Sequence, residues 1–198
     1  MSDAPRRGRP RSVAAEVAVL ETTYRLLVEH GLAATSIDAI ARESRVSKMT
    51  ICKWWPRREA LLVDAFLRQA GLLLPFASEG PPLAGMCAHA AAYAEALAGE
   101  FGRVQLAVIA ECITGTGSAA EFATRHLSIR RDLGVGIIGQ GQQDGSIRDD
   151  TAAGELYDRL YGTLFYQSSF SLRPVHAAHA RRLVGAIMVS AESGRSAG

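Results

Sequence analysis

The chain has 198 residues, 48% hydrophobic and 21% charged, with a formal net charge of +2. That length buries a full core in one or two small domains without disulfide or metal staples, and the composition is that of an ordinary globular protein. No apolar run approaches the roughly 18–20 residues of a membrane span, the charged N-terminus lacks a signal-peptide stretch, and the three cysteines have no paired spacing; a cytoplasmic protein with no membrane partner is expected.

Few segments alternate polar and apolar residues with period two, and Ala, Leu and Glu dominate the long stretches, so an all-α fold is predicted. The charge is unevenly spread. Residues 1–70 hold 12 Lys/Arg against 8 Asp/Glu, and residues 71–198 hold 10 against 12. The basic excess lies where a phosphate-facing surface needs it.

Residues 1–11 are interrupted by two prolines and a glycine, so a basic arm is expected rather than a helix. Its Arg6, Arg7, Arg9 and Arg11 suit the negative potential of a DNA minor groove, although a plain solvated tail has the same composition. From Ser12 to His30, Val13, Val17, Leu20, Tyr24, Leu27 and Val28 recur at spacings of three and four, and Gly31 supplies a stop. Two short helices joined by a tight corner follow over residues 35–56. Thr35 or Ser36 caps the first, with Asp38 placed to complete a capping box on Thr35, and Ile37, Ile40 and Ala41 form its buried face. Ser47 opens the second between the staple residues Val46 and Ile51, with Lys48, Met49, Thr50 and Lys53 in its first two turns. This is helix-turn-helix geometry, in which the polar turns of the second helix enter a major groove of double-stranded DNA. Its core is expected from Leu32, Ile37, Ile40, Val46, Ile51 and Trp54 or Trp55.

A longer helix is predicted over 57–70, with Arg57 and Arg58 in its first turn. A nearby phosphate favours that placement, and two solvated arginines explain it equally simply. Pro75, Gly80, Pro81 and Pro82 then mark a loop. Helices follow near 81–97, 101–113, 119–140, 149–170 and 174–191, the last with Pro174 at its first position. The stripes Leu156, Tyr157, Leu160, Tyr161, Leu164, Phe165 and Leu183, Val184, Ile187, Met188 fit either a four-helix interface between two copies or the core of one subunit. The first is favoured, because one reading helix covers few base pairs and a second half-site is normally needed.

Gly134-Val-Gly136-Ile-Ile-Gly139 matches a dinucleotide fingerprint as a string, but Arg130, Arg131 and Asp132 stand where the preceding apolar strand belongs. Helical glycines used for close packing, or for mobility beside a cavity, are the better reading. Cys87 and His89 face different ways on a helix, and His126, His176 and His179 form no ligand pattern, so no metal and no cofactor are expected. No catalytic motif is present, and an enzyme is not expected.

The stretches His-Gly-Leu-Ala-Ala-Thr-Ser-Ile-Asp-Ala-Ile-Ala (30–41), Val-Ser-Lys-Met-Thr-Ile (46–51) and Trp-Pro-Arg-Arg-Glu-Ala-Leu (55–61) resemble the TetR-type transcriptional regulators, as, diffusely, does Asp-Gly-Ser-Ile-Arg-Asp-Asp with the two helices after it. The resemblance implies a helix-turn-helix domain over 12–56 after the arm of 1–11, and a helical effector-binding and dimerisation domain over 57–198. It implies a homodimer that represses genes at a palindromic operator until a small-molecule effector binds. By the same resemblance Thr35 is a phosphate-contacting cap, Lys48 and Met49 enter the major groove, Thr50 contacts backbone or base, and Arg58 contacts phosphate. Lys53 and Trp54 lie where the family varies its contacts, and Trp55 fills a buried aromatic position. Arg45 replaces the usual corner glycine, at a cost of about 1 kcal/mol if left-handed, with a phosphate contact as compensation. Cys52 replaces a backbone-touching tyrosine, and Arg57 replaces a serine cap. Met86, Phe101, Phe122, Tyr157, Tyr161 and Phe165 are candidate effector lining, although aromatic stripes at helical spacing also make plain core. The alternative is a helical sensor or interaction module without specific DNA recognition.

Overall fold

In the computed structural model, residues 12–77, 79–117 and 119–189 are described. The arm bearing Arg6, Arg7, Arg9 and Arg11 lies outside them. The first helix, α1 (Val13–Ala34), breaks at Gly31, whose φ of 72° and ψ of −178° suit a residue without Cβ. The stop expected there is therefore a kink, after which one further turn reaches Ala34.

Ser36 caps α2 (Ile37–Ser44), its Oγ accepting from the Ala39 amide at 3.1 Å. Thr35 is fully buried and its hydroxyl donates to the Gly31 carbonyl at 2.8 Å, so the expected capping box on Thr35 does not form. Ser47 caps α3 (Lys48–Trp54), its Oγ accepting from the Thr50 amide at 3.2 Å. Between them Arg45 is left-handed, with φ 58° and ψ 24°. The next helix, α4 (Arg58–Leu73), has Arg57 at its cap position without a side-chain cap.

The rest comprises α5 (Pro82–Ala98), α6 (Glu100–Thr116), α7 (Ala120–Phe122), a π-helical turn (Ala123–Leu127), α8 (Ser128–Gln143), α9 (Ala153–Ser169) and α10 (Ala177–Met188). The single helix predicted near 119–140 thus contains a widened turn. The last helix starts later than Pro174. His176 caps it instead, its Nδ1 accepting from the His179 amide at 3.2 Å. The glycine string 134–139 lies inside α8, and among the described residues there is no strand to precede it. A Cβ on Gly134 would stand 2.3 Å from the Tyr157 ring, so this glycine sets the approach of α8 to α9, whereas Gly136 and Gly139 face open space.

Among the described residues three apolar clusters form the core. Val19, Leu26, Ile40, Ile51, Trp55 and Leu61 fix α1, α2 and α3 on the start of α4. Leu27, Leu62, Phe66, Phe101, Val108 and Phe122 continue the core through α4, α6 and α7. Met86, Ile138, Leu156, Leu160, Leu164, Val184 and Met188 join α5, α8, α9 and α10. Burial at about 25 cal/mol per Å² makes these clusters the main stabilising term. Within the chain α10 packs on α5 and α9, burying Leu156, Leu160, Leu164, Val184 and Met188 of the α9 and α10 stripes, while Tyr157, Phe165, Leu183 and Ile187 are only partly buried. Among the described residues no helix is long and apolar enough to cross a membrane.

Candidate nucleic-acid interface and ligand cavity

The DNA-facing end is a rigid base with a polar rim. Ile51 and Ile40 are fully buried and Trp55 nearly so, which anchors the inner side of α3. Its outer side carries exposed Lys48, Met49 and Lys53, with Thr50 and Trp54 half-buried and Met49 85% exposed. The apolar side chain of Met49 is free to contact a thymine methyl. Ser47 is held by its cap and by a 2.8 Å hydrogen bond with the Thr50 hydroxyl. Lys48 pairs with Asp38 of α2 at 2.8 Å, an exposed contact that a phosphate or base edge displaces at little cost. Arg45 is exposed at the corner. Arg25 of α1 braces the unit from behind through Glu43 at 2.6 Å and Glu29 at 2.9 Å.

Two expected phosphate contacts are arranged differently. Thr35 is inaccessible because its hydroxyl is spent on Gly31. Arg58 is turned inward: its Nε donates to the Thr35 carbonyl at 3.1 Å, and its two terminal nitrogens engage the Leu32 carbonyl and the Glu111 carboxylate of α6. It ties the end of α1, just past the Gly31 kink, to α6. Its neighbour Arg57 reaches Glu121 of α7 at 2.5 Å.

A second seam ties the reading helix to the π turn. Trp55, at the end of α3, donates its indole N–H to Asp64 of α4 at 2.8 Å, and Asp64 is ion-paired with Arg125. Arg125 lies in the π turn beside His126, and His126 is part of a cavity wall.

That cavity, about 310 Å³, lies among α5, α6, the π turn, α8 and α9. Phe122, Tyr157, Tyr161 and Phe165 line it as expected. Met86 and Phe101 do not: both are buried in the helix-packing clusters, Phe101 against Phe66. The polar lining was missed by sequence reasoning. His89, Tyr93, Gln105, His126 and Arg130 all contribute to the wall. The Nδ1 of His89 shares a 2.6 Å hydrogen bond with the Tyr161 hydroxyl, and its ring stacks on Phe76 at 3.8 Å. Burial, with the Arg130 charge nearby, pushes both His89 and His126 down to about 3, so both are neutral at ordinary pH. The same burial pushes Tyr93 up to about 12. Polar residues recurring at three and four with aromatic ones, as His89-Tyr93 and His126-Arg130 do, are the one signal by which this wall is legible in the sequence.

A family model described as "Bacterial regulatory proteins, tetR family" matches residues 19–65, and one described as "Tetracyclin repressor-like, C-terminal domain" matches residues 78–187. The uncharacterized HTH-type transcriptional regulator YdeS of Bacillus subtilis is 33% identical over 90% of this chain and 90% of its own length. The solved TetR family transcription regulator SCO0332 superimposes with a TM-score of 0.74 at 27% identity, covering 86% of this chain and 94% of that one. Thermus thermophilus FadR, a transcriptional repressor solved in complex with lauroyl-CoA, shares the fold with a TM-score of 0.66 at 19% identity, over 92% of this chain and the whole of that one. The helix-turn-helix with its exposed α3, the helical C-terminal region and these matches agree: the chain belongs to the TetR family of transcriptional regulators.

Proposed function

We propose that the protein is a homodimeric repressor that holds a palindromic operator with one α3 per half-site and releases it when a small molecule enters the cavity. The observation that carries this reading is the contact path from Trp55 through Asp64 and Arg125 to the π turn that forms one cavity wall. A ligand that pushes on His126 moves Arg125, and Arg125 holds the carboxylate on which the end of α3 is hung. The Arg58 brace on the Gly31 kink and Glu111 gives the same displacement a second route. A small change of spacing between two reading helices suffices, because successive major grooves lie about 34–36 Å apart. The lauroyl-CoA complex of the similarly folded repressor supports a ligand-controlled role, and the volume here calls for a smaller occupant. The arm of residues 1–11 supplies a minor-groove contact.

Lys48→Ala and Thr50→Ala each weaken specific binding to the upstream DNA by roughly 10-fold or more while leaving the melting temperature unchanged. Fluorescence anisotropy with a labelled operator measures this, and unchanged affinity in both variants refutes the assignment. Arg125→Gln keeps ligand binding but blunts ligand-induced release of operator; full release in that variant removes the proposed path.

A further inference from the structure

The cavity wall contains a positive charge without a carboxylate. Arg130, from α8, is half-buried, with Nη2 donating to the Leu74 carbonyl and lying 2.7 Å from the His89 Nε2. Its guanidinium carbon stands 5.2 Å from the centroid of the Phe76 ring. These contacts fix the fork in place, and among the described residues its Nε and Nη1 form no hydrogen bond and the group forms no ion pair. The acid closest to hand is already committed: Asp158, at the same wall, is held by both Nε and Nη2 of the neighbouring Arg131 at 2.8 Å each.

Withdrawing a guanidinium from water without a counter-charge is costly, and residues so placed in a concave, mostly apolar site are the polar points that orient a ligand. Apart from the Arg131–Asp158 pair, the remaining lining is uncharged and largely aromatic, from Tyr93, Phe122, Tyr157, Tyr161 and Phe165. His126 adds a buried Nδ1 that has no hydrogen-bond partner, one turn before Arg130 on the same wall. One guanidinium without a counter-ion suits a monoanion, whereas a phosphate ester asks for more positive charge than it supplies. We propose that the cavity is a receptor for a small aromatic carboxylate, its anion received by the uncommitted N–H groups of Arg130 and its ring stacked among the tyrosines and phenylalanines. The volume of about 310 Å³, at the small end of the roughly 300–1,000 Å³ typical of ligand pockets, limits the occupant to one or two rings.

The proposal rests on the ligand-controlled reading given above, and one experiment separates the two. The purified full-length protein is titrated with 2-naphthoate, 2-naphthamide and (2-naphthyl)methylamine, with binding followed by calorimetry and melting temperature, and operator affinity followed by anisotropy. The acid is expected to bind and to raise the melting temperature, at least roughly 10-fold more tightly than the amide, because a charge-assisted hydrogen bond is being made. Arg130→Gln is expected to erase that preference, and Arg130→Lys to retain it at reduced affinity; circular dichroism shows whether each variant is folded. The comparison of the three probes on the unaltered protein stands whether or not the variants fold. Equal or tighter binding of the amide or amine, no binding of the acid up to its solubility, or a preference for the acid that survives in folded Arg130→Gln each overturns the proposal. Acid binding through Arg130 that leaves operator affinity unchanged upholds the anion site and overturns effector release. Amine binding that releases operator does the reverse.

Discussion

The two ends of the molecule solve the problem of polar groups in opposite ways. Around α2 and α3 the charges stay outside and pair across the surface, as Arg25 does with Glu43 and Lys48 with Asp38, over a dry base of Ile40, Ile51 and Trp55. Around the cavity they are drawn inside and kept neutral or held by dipoles, as with His89, His126 and Arg130. The first arrangement leaves side chains free to exchange partners with a polyanion. The second leaves buried polar groups such as the His126 Nδ1 unpartnered, and it makes the interior rather than the surface the electrostatically sensitive part.

Acid breaks the comparison most sharply. Both histidines have folded pKa values of about 3 against an ordinary 6.5, so the unfolded chain binds more protons between those limits. Stability is then complete above about pH 6.5 and falls as the pH drops, by up to ~1.4 kcal/mol per pH unit for each histidine. Urea unfolding at pH 7, 6 and 5 measures this, and His126→Leu should roughly halve the slope; an unaltered slope shows that His126 is not one of the groups responsible. A smaller effect is expected at the seam between the ends. Arg58→Ala removes the donor to the Thr35 carbonyl and Glu111 and one of two donors to the Leu32 carbonyl, and should lower stability by about 2–3 kcal/mol in the same assay. A loss below about 0.5 kcal/mol would show that water replaces the guanidinium. The finest test uses two glycines of one helix. Gly134→Ala drives a methyl into Tyr157 and should cost about 1–3 kcal/mol, whereas Gly136→Ala, facing open space, should stabilise by up to about 1 kcal/mol through helix propensity. If both substitutions act alike, close approach of α8 and α9 is not what Gly134 serves.

The same contrast explains what was legible in the sequence. Caps, staple and charge are local signals, so Ser47, Val46, Ile51 and the exposed face of α3 follow from a few adjacent residues. Where two neighbours carry the same signal the choice passes to packing: Ser36 caps α2 and Thr35 turns inward, and Trp55 is buried while Trp54 lies half-open. A cavity wall has no local signal of its own. Periodicity places Met86 and His89 on one helix but does not say that the first is buried in the core while the second lines a cavity. Apolar stripes such as those of α9 and α10 serve a core or an interface alike, and α5 covers part of them within the chain.

The π turn at Ala123–Leu127 has a consequence for how this protein tolerates change. An α-helix advances about 100° per residue, and a turn with one residue more than usual inserts a phase shift into an otherwise continuous run. By that offset Arg125 is aimed at Asp64 while Arg130, five residues on, is aimed at Leu74 and the cavity. Deleting one residue there would leave composition, hydropathy and helix content almost untouched. It would also swing one of the two arginines off its target, parting the ion pair with Asp64 from the cavity wall that the same run of helix now carries.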